Sequence, residues 1–108
     1  MIKRRFETPL FLVEFDAIVY EDVEEVPKDT LDDKYRHRIG FVNRTEEDNI
    51  IIVLNHFHRL TVGEIAHEVK HLVNEIIIDF GGKLDLQNDE TECYLLQWAM
   101  DEIYNLIK

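Results

Sequence analysis

The segment "TVGEIAHEVKHLVNEIIIDF", residues 61–80, constrains the fold most, because its apolar residues recur with the period of an α-helix. At about 100° per residue they form one broad arc, made of Ile65, Ala66, Val69, Leu72, Val73, Ile76, Ile77 and Phe80. Thr61 and Glu64 form a capping box, in which each side chain satisfies a backbone N–H at the helix start. Gly81 and Gly82 then supply a left-handed stop. The chain must therefore place one face of this helix against a core.

Three segments before this helix predict strands. They are rich in β-branched and aromatic residues and cover 10–20, 35–43 and 50–54. An acidic, Pro-containing connection separates the first two, and the polar turn "RTEEDN" separates the last two. We therefore predict an α+β fold, in which a small, mainly antiparallel sheet of about three strands within 1–55 precedes the helices.

A second helix is predicted over 89–107. Asn88 and Asp89 are good N-cap residues, and Cys93 is expected to be a small buried residue in this helix. A chain of 108 residues is typical of one domain with one core. We therefore expect residues 1–108 to form a single domain in which two packed helices cover the sheet.

The charge of the chain excludes several classes of partner. A formal net charge of −11 argues against nucleic-acid binding and against docking on anionic lipid. No apolar run approaches the roughly 20 residues that a membrane span needs. The single cysteine excludes an intramolecular disulfide and fits a reducing compartment, so a cytoplasmic location is expected.

The solvent side of the helix over 61–80 carries the pattern His-Glu-x-x-His. His67 and His71 lie one turn apart opposite the apolar arc, and Glu68 follows the first of them. Two imidazoles at this spacing can bind one zinc ion, and the adjacent carboxylate can orient a water molecule and take its proton. Lys70 stands within the motif, where an uncharged residue is more usual. Ile78 lies in line with the histidines, which indicates that something covers this stripe.

A zinc site needs a third protein ligand. Eighteen residues lie between His71 and Glu90, and twenty lie between His71 and Glu92. Glu90 shares a stripe with Tyr94 opposite the apolar arc of the second helix, whereas Glu92 points into that arc. Helical geometry leaves both glutamates as candidates.

The two motifs together resemble a known group. "AHEVKHLVNEI" followed by "NDETECYLLQWAMDEI" is similar to small HExxH proteins of phages and prophages, and more broadly to gluzincin-type zinc metallopeptidases. Their second motif reads Asn-Asp/Glu-Glu-x-x-(small)-Tyr-Leu-x-Gly, which Glu90, Cys93 and Tyr94 match, while Gln97 replaces the glycine. The resemblance covers about residues 60–105.

This resemblance implies a minimal zincin-like fold and a zinc-dependent peptidase. The ligands would be His67, His71 and Glu90, with Glu92 as second choice, and Glu68 would be the general base. The substrate would be a peptide or protein, in the cytoplasm of a bacterial or phage-infected cell. An extended substrate is expected to pair with a sheet edge, for which we select the 50–54 strand.

Five further residues are candidate helpers at this site: Tyr94, Glu75, Asp89, His56 and His58. Tyr94 either donates to a tetrahedral intermediate or packs over the helix pair. Glu75 lies one turn past the second motif histidine, whose free ring N–H it can accept, or is simply exposed. Asp89 is an N-cap or an outer hydrogen-bond partner of the metal ligands. His56 and His58 either shape the strand-to-helix turn or line the mouth of the site.

Two other functions stay open at this point. A zinc-stabilised protein without activity would keep the histidines and bind a host protein, because a metal that pins two helices adds stability. An acidic mimic of nucleic acid would need no metal, and the segment 21–33 would be its working surface.

Overall fold

The computed structural model describes residues 1–9, 11–26, 40–55 and 60–107. In chain order the elements are β1 (Ile2–Glu7), β2 (Glu14–Tyr20), a short 3-10 helix (Val23–Glu25), β3 (Gly40–Arg44), β4 (Ile50–Asn55), α1 (Val62–Asp79) and α2 (Glu90–Ile107). The predicted α+β class is confirmed, and both helices lie where the sequence places them. The sheet has four strands, one more than predicted.

The strands form one mixed sheet in the order β1-β2-β4-β3. β1 pairs antiparallel with β2, and β3 pairs antiparallel with β4. The central pair, β2 and β4, is parallel, with Phe15 opposite Ile50 and Val19 opposite Leu54. β4 therefore has a neighbour on each side, and the prediction that the 50–54 strand offers a free edge is wrong.

β1 is the strand that the sequence did not predict. Phe6 is its one buried residue, so the segment lacks the alternation of apolar and polar residues that marks a half-buried strand. Arg5 reaches across to β2, where its side chain lies 2.9 Å from Glu14 and 3.0 Å from Asp16. Backbone pairing with β2 and the ion pairs of Arg5, rather than an apolar face, hold β1 at the edge of the sheet.

The main core lies between the sheet and the two helices. Its fully buried members include Phe15, Ile52, Leu54, Ile65, Leu72, Ile76, Leu95 and Ile103. α1 lies over β3 and β4, while α2 packs on α1 and contacts β2. The opposite face of the sheet is also apolar, because Ile18, Phe41, Ile51 and Val53 are buried there. Burial on both faces explains why the β4 sequence is continuously apolar.

The caps of α1 form as predicted. The Thr61 hydroxyl accepts from the N–H of Glu64 at 3.1 Å, and the Thr61 N–H donates to the Glu64 carboxylate at 2.9 Å. Gly81 has a φ of 81°, and its N–H donates to the carbonyl of Ile78 at 3.1 Å. Of the helices in the described ranges, neither is long and apolar enough to cross a membrane.

Candidate functional site

The His-Glu-x-x-His residues lie along a groove between α1 and the edge strand β3. The groove has a volume of about 430 Å³. His67, Glu68 and His71 form one wall, and Val42 of β3 lies on the other. Ile78 continues the α1 wall and is 63% exposed, so the groove has an open apolar end.

The two histidine rings lie edge to face across one turn of α1. Their centroids are 4.9 Å apart, and the ring planes meet at 75°. Both residues are exposed, and the side chain of His67 is 70% accessible to solvent. Two imidazole rings that are one turn apart and open to solvent are accessible to a metal ion, whereas buried histidines are not.

Glu68 lies on the side of α1 that faces β3. Its side chain is only 14% exposed, and its Oε1 atom is 4.0 Å from Nε2 of His67. That separation is too long for a hydrogen bond. A β-carbon at Gly40 of β3 would lie 3.3 Å from Cγ of Glu68 and 2.8 Å from Cδ2 of Leu54. The glycine therefore leaves the space into which the Glu68 side chain fits.

Arg44, at the end of β3, connects the edge strand to the second half of α1. Its Nη2 atom is 2.8 Å from a carboxylate oxygen of Glu75 and 2.7 Å from one of Asp79. Desolvation lowers the pKa of Arg44, but hydrogen bonds to Asp79 and Glu75 outweigh it, and the pKa is raised above its usual value. The carboxylate of Glu75, predicted to accept from His71, thus has Arg44 as its partner. Sequence reasoning missed both Gly40 and Arg44. The feature that could have indicated them is the short strand "GFVNR", which begins with a glycine and ends with a basic residue.

The described residues do not complete a set of three metal ligands. Among them, no group of three or more His, Cys, Asp or Glu side chains is arranged to hold a metal ion. Glu90 is exposed in the first turn of α2. Glu92 is directed at α1, where it forms an ion pair with Lys70, and its side chain is 17% exposed. The Glu92 carboxylate is thus paired with Lys70, which stands between the two motif histidines in the sequence.

The donor chemistry of His67 and His71 fits zinc, since two accessible imidazoles lie beside a carboxylate. No third donor from the described ranges accompanies them. His56 and His58, the candidates for the mouth of the site, lie outside the described residues. The described residues therefore supply the two histidine ligands of a zinc site, His67 and His71, and no third ligand.

The remaining candidates lie on or before α2. Tyr94 is 49% exposed. Asp89 immediately precedes α2 and lines a separate cavity of about 290 Å³ near the end of α1. Cys93 is exposed, so the expectation of a buried residue is wrong. Its pKa is raised by local desolvation first, and then by the negative charges of Asp89, Glu90 and Glu92.

The chain was compared with protein-family models, with curated proteins and with solved structures. It matched none of them. The interpretation of the groove therefore depends on the side chains that line it.

Proposed function

We propose that the groove between α1 and β3 is the site of a zinc-dependent peptidase. The observation that supports this best is the pair of adjacent, exposed rings of His67 and His71, with Glu68 beside them on the wall that faces an edge strand. A solvated polar helix face accounts for exposed histidines. Beside them the Glu68 side chain is only 14% exposed and lies between the helix and a glycine of the neighbouring strand, which places a carboxylate next to the histidine pair.

His67 and His71 would hold the metal, and Glu68 would act on water. Zinc supplies a Lewis acid that polarises a carbonyl group and makes water easier to deprotonate. The Glu68 carboxylate orients a water molecule over the groove and takes its proton, as a general base does. Its side chain is only 14% exposed, and burial restricts the orientations of a carboxylate, as general-base catalysis needs.

An extended peptide would bind along β3. Among the described residues, β3 pairs on one side only, with β4. The backbone groups of its other side can form hydrogen bonds with a strand added at the edge. Gly40 begins β3 next to Glu68, and Arg44 ends it next to Glu75. A peptide on this edge therefore runs along α1 and passes Glu68, in the cytoplasm of a bacterial or phage-infected cell.

Metal content and turnover test this proposal. We expect near-stoichiometric zinc in protein purified without a histidine tag, and its loss in His67→Ala and His71→Ala. Glu68→Gln should keep the zinc and abolish hydrolysis of unfolded protein substrates. Glu47→Gln, which removes one exposed carboxylate from the turn between β3 and β4, is the matched control and should change neither. A wild-type chain that takes up no zinc would overturn the proposal.

A second function is favoured by the Lys70–Glu92 ion pair. In that pair the Glu92 carboxylate binds Lys70, and so Glu92 does not join the histidines as a third metal ligand. A zinc-stabilised protein that binds a partner without turnover needs no such set. Glu68→Gln separates the two functions, because it should abolish hydrolysis by a peptidase and leave partner binding by the second kind of protein unchanged.

A further inference from the structure

The groove between α1 and β3 ends on an apolar surface. Its walls there are Ile78, in the last turn of α1, and Val42, in the middle of β3. Val42 is half-buried and packs against the main core, whereas Ile78 is mostly exposed. A single exposed isoleucine is ordinary on a protein surface and needs no ligand to explain it. Its position relative to the histidines is what gives this one a meaning.

Ile78 lies on the same side of α1 as the two motif histidines. It follows His71 by seven residues and His67 by eleven, which are close to two and three turns of the helix. A helix rises about 1.5 Å per residue, so Ile78 lies roughly 13–14 Å beyond the middle of the histidine pair. A ligand that contacts both rings and continues along the groove therefore reaches Ile78.

The contacts between β3 and α1 show that the strand and the helix run side by side in the same direction. Gly40, at the start of β3, adjoins Glu68, and Arg44, at its end, is 2.8 Å from Glu75. Between these contacts the strand advances about 13 Å and the helix about 10 Å. An extended peptide along β3 rises about 3.3 Å per residue, so it covers the distance from the histidines to Ile78 in about four residues. Because that number is even, the two peptide residues present their side chains on the same side.

The polar side chains between the histidines and the apolar end have partners within the protein. The side-chain oxygen of Asn74 accepts a hydrogen bond from Nζ of Lys70 at 2.6 Å. The carboxylate of Glu75 accepts one from Nη2 of Arg44 at 2.8 Å. An apolar side chain at the end of the groove leaves both hydrogen bonds in place, so its binding does not cost the protein a polar contact.

We propose that the apolar end of the groove binds an aliphatic or aromatic side chain of the peptide, about four residues from the bond that is hydrolysed. Ile78 and Val42 pack against that side chain, and its burial removes apolar surface of both partners from water. This inference rests on the proposed function, because it takes the groove as the path of the peptide. It makes Ile78 the residue that determines specificity at this position.

Peptide binding to the Glu68→Gln chain tests the inference without turnover. The probes are three pools of end-blocked peptides, with one central position fixed as leucine, serine or lysine and the others drawn from alanine, glycine, serine and threonine. We expect the leucine pool to bind about tenfold more tightly than the serine pool. Adding Ile78→Ser, at an exposed position, should reduce that preference to less than about threefold. Adding Val62→Ser, at an exposed apolar residue at the opposite end of α1, should leave the preference intact.

The inference fails on any of three results: equal binding of the leucine and serine pools, a leucine preference that survives Ile78→Ser, or tightest binding of the lysine pool. The last result would assign this end of the groove to the carboxylates of Glu75 and Asp79 instead.

Hydrolysis and zinc content of the wild-type chain are measured separately. Where it hydrolyses unfolded casein, cut sites mapped by mass spectrometry should have an apolar residue enriched about four positions away, and Ile78→Ser should remove that enrichment. Enrichment that persists in Ile78→Ser rejects the role of Ile78. A leucine preference that depends on Ile78, in a chain without zinc or hydrolysis, supports the apolar subsite and rejects only the peptidase.

Discussion

Gly40 of β3 and Glu68 of α1 approach so closely that a β-carbon at position 40 would lie 3.3 Å from the Cγ atom of Glu68. The same β-carbon would lie 2.8 Å from Cδ2 of Leu54, which is fully buried and has little room to move. This contact determines how near α1 can sit to the edge strand at the carboxylate of the proposed site. Glycine at position 40 therefore allows the close approach of β3 to Glu68 on α1.

We expect Gly40→Ala to lower the free energy of unfolding by about 1–3 kcal/mol, which is typical of overpacking a well-packed site. Gly63→Ala, in the first turn of α1, is the matched control, since its β-carbon would meet only the Thr61 hydroxyl, at 3.8 Å. In the first turn of a helix this change should raise stability by up to about 1 kcal/mol. Chemical denaturation measures both variants, and a loss of equal size in the two would contradict the contact at Gly40.

Arg44→Met should loosen the attachment of α1 to β3. The change keeps the aliphatic stem and leaves Glu75 and Asp79 as neighbouring like charges, so we expect a loss of about 1 kcal/mol. That value is at the upper end for surface pairs, because the Arg44 side chain is only 22% exposed. Arg5→Met, at an arginine that is 50% exposed beside two carboxylates, should cost less.

Chemical denaturation at low and high salt tests whether the loss of stability in Arg44→Met comes from the lost ion pairs. The difference between Arg44→Met and the wild-type chain should shrink as salt screens the ion pairs. A difference that stays constant with salt would mean that packing of the side chain, and not its charge, holds the helix to the strand.

The helices and the cap at Thr61 were predictable because the information lies within a few residues. A period of about 3.6 residues and two side-chain-to-backbone bonds suffice to define them. β1 was not predictable in this way, since its one buried residue is Phe6 and its place depends on pairing with β2. The parallel pairing of β2 with β4 is likewise a long-range property that alternation within a strand does not encode.

The candidate site likewise has a part that local sequence predicts and a part that depends on tertiary packing. The spacing of His67 and His71 follows from the helix alone, and their ring centroids do lie close together, 4.9 Å apart. The position of β3 beside them depends on tertiary packing. So does the choice between Glu90 and Glu92, because helical geometry left both open and the packing of α2 on α1 directs Glu92 to Lys70.

Lys70 and a metal ion compete for the carboxylate of Glu92. We expect Lys70→Met to tighten zinc binding by about tenfold, because removing the ammonium group frees a carboxylate that faces α1. Glu92→Gln should weaken zinc binding, and Glu90→Gln, at an exposed position in the same turn, should not. Competition with a chromogenic chelator gives the three affinities. Weaker binding in Glu90→Gln alone would assign the third ligand to the other glutamate and remove Lys70 from the site.

Cys93 should react slowly with iodoacetamide even though it is exposed. The thiolate is the nucleophile, and local desolvation together with the charges of Asp89, Glu90 and Glu92 raises the pKa of this thiol above its usual value. The folded chain therefore keeps its proton to higher pH than the unfolded chain. The alkylation rate should still be rising with pH where an unfolded thiol has reached its plateau.

The same shift makes folding less favourable as pH rises above the pKa of the unfolded thiol, because deprotonation then favours the unfolded chain. Glu90→Gln removes one of the charges near Cys93 and should move the rate profile to lower pH. Glu102→Gln, three turns further along α2 and outside that group, should leave the profile in place. Profiles that coincide for all three chains would show that desolvation alone raises the pKa, and that the carboxylates at the start of α2 do not act on the thiol.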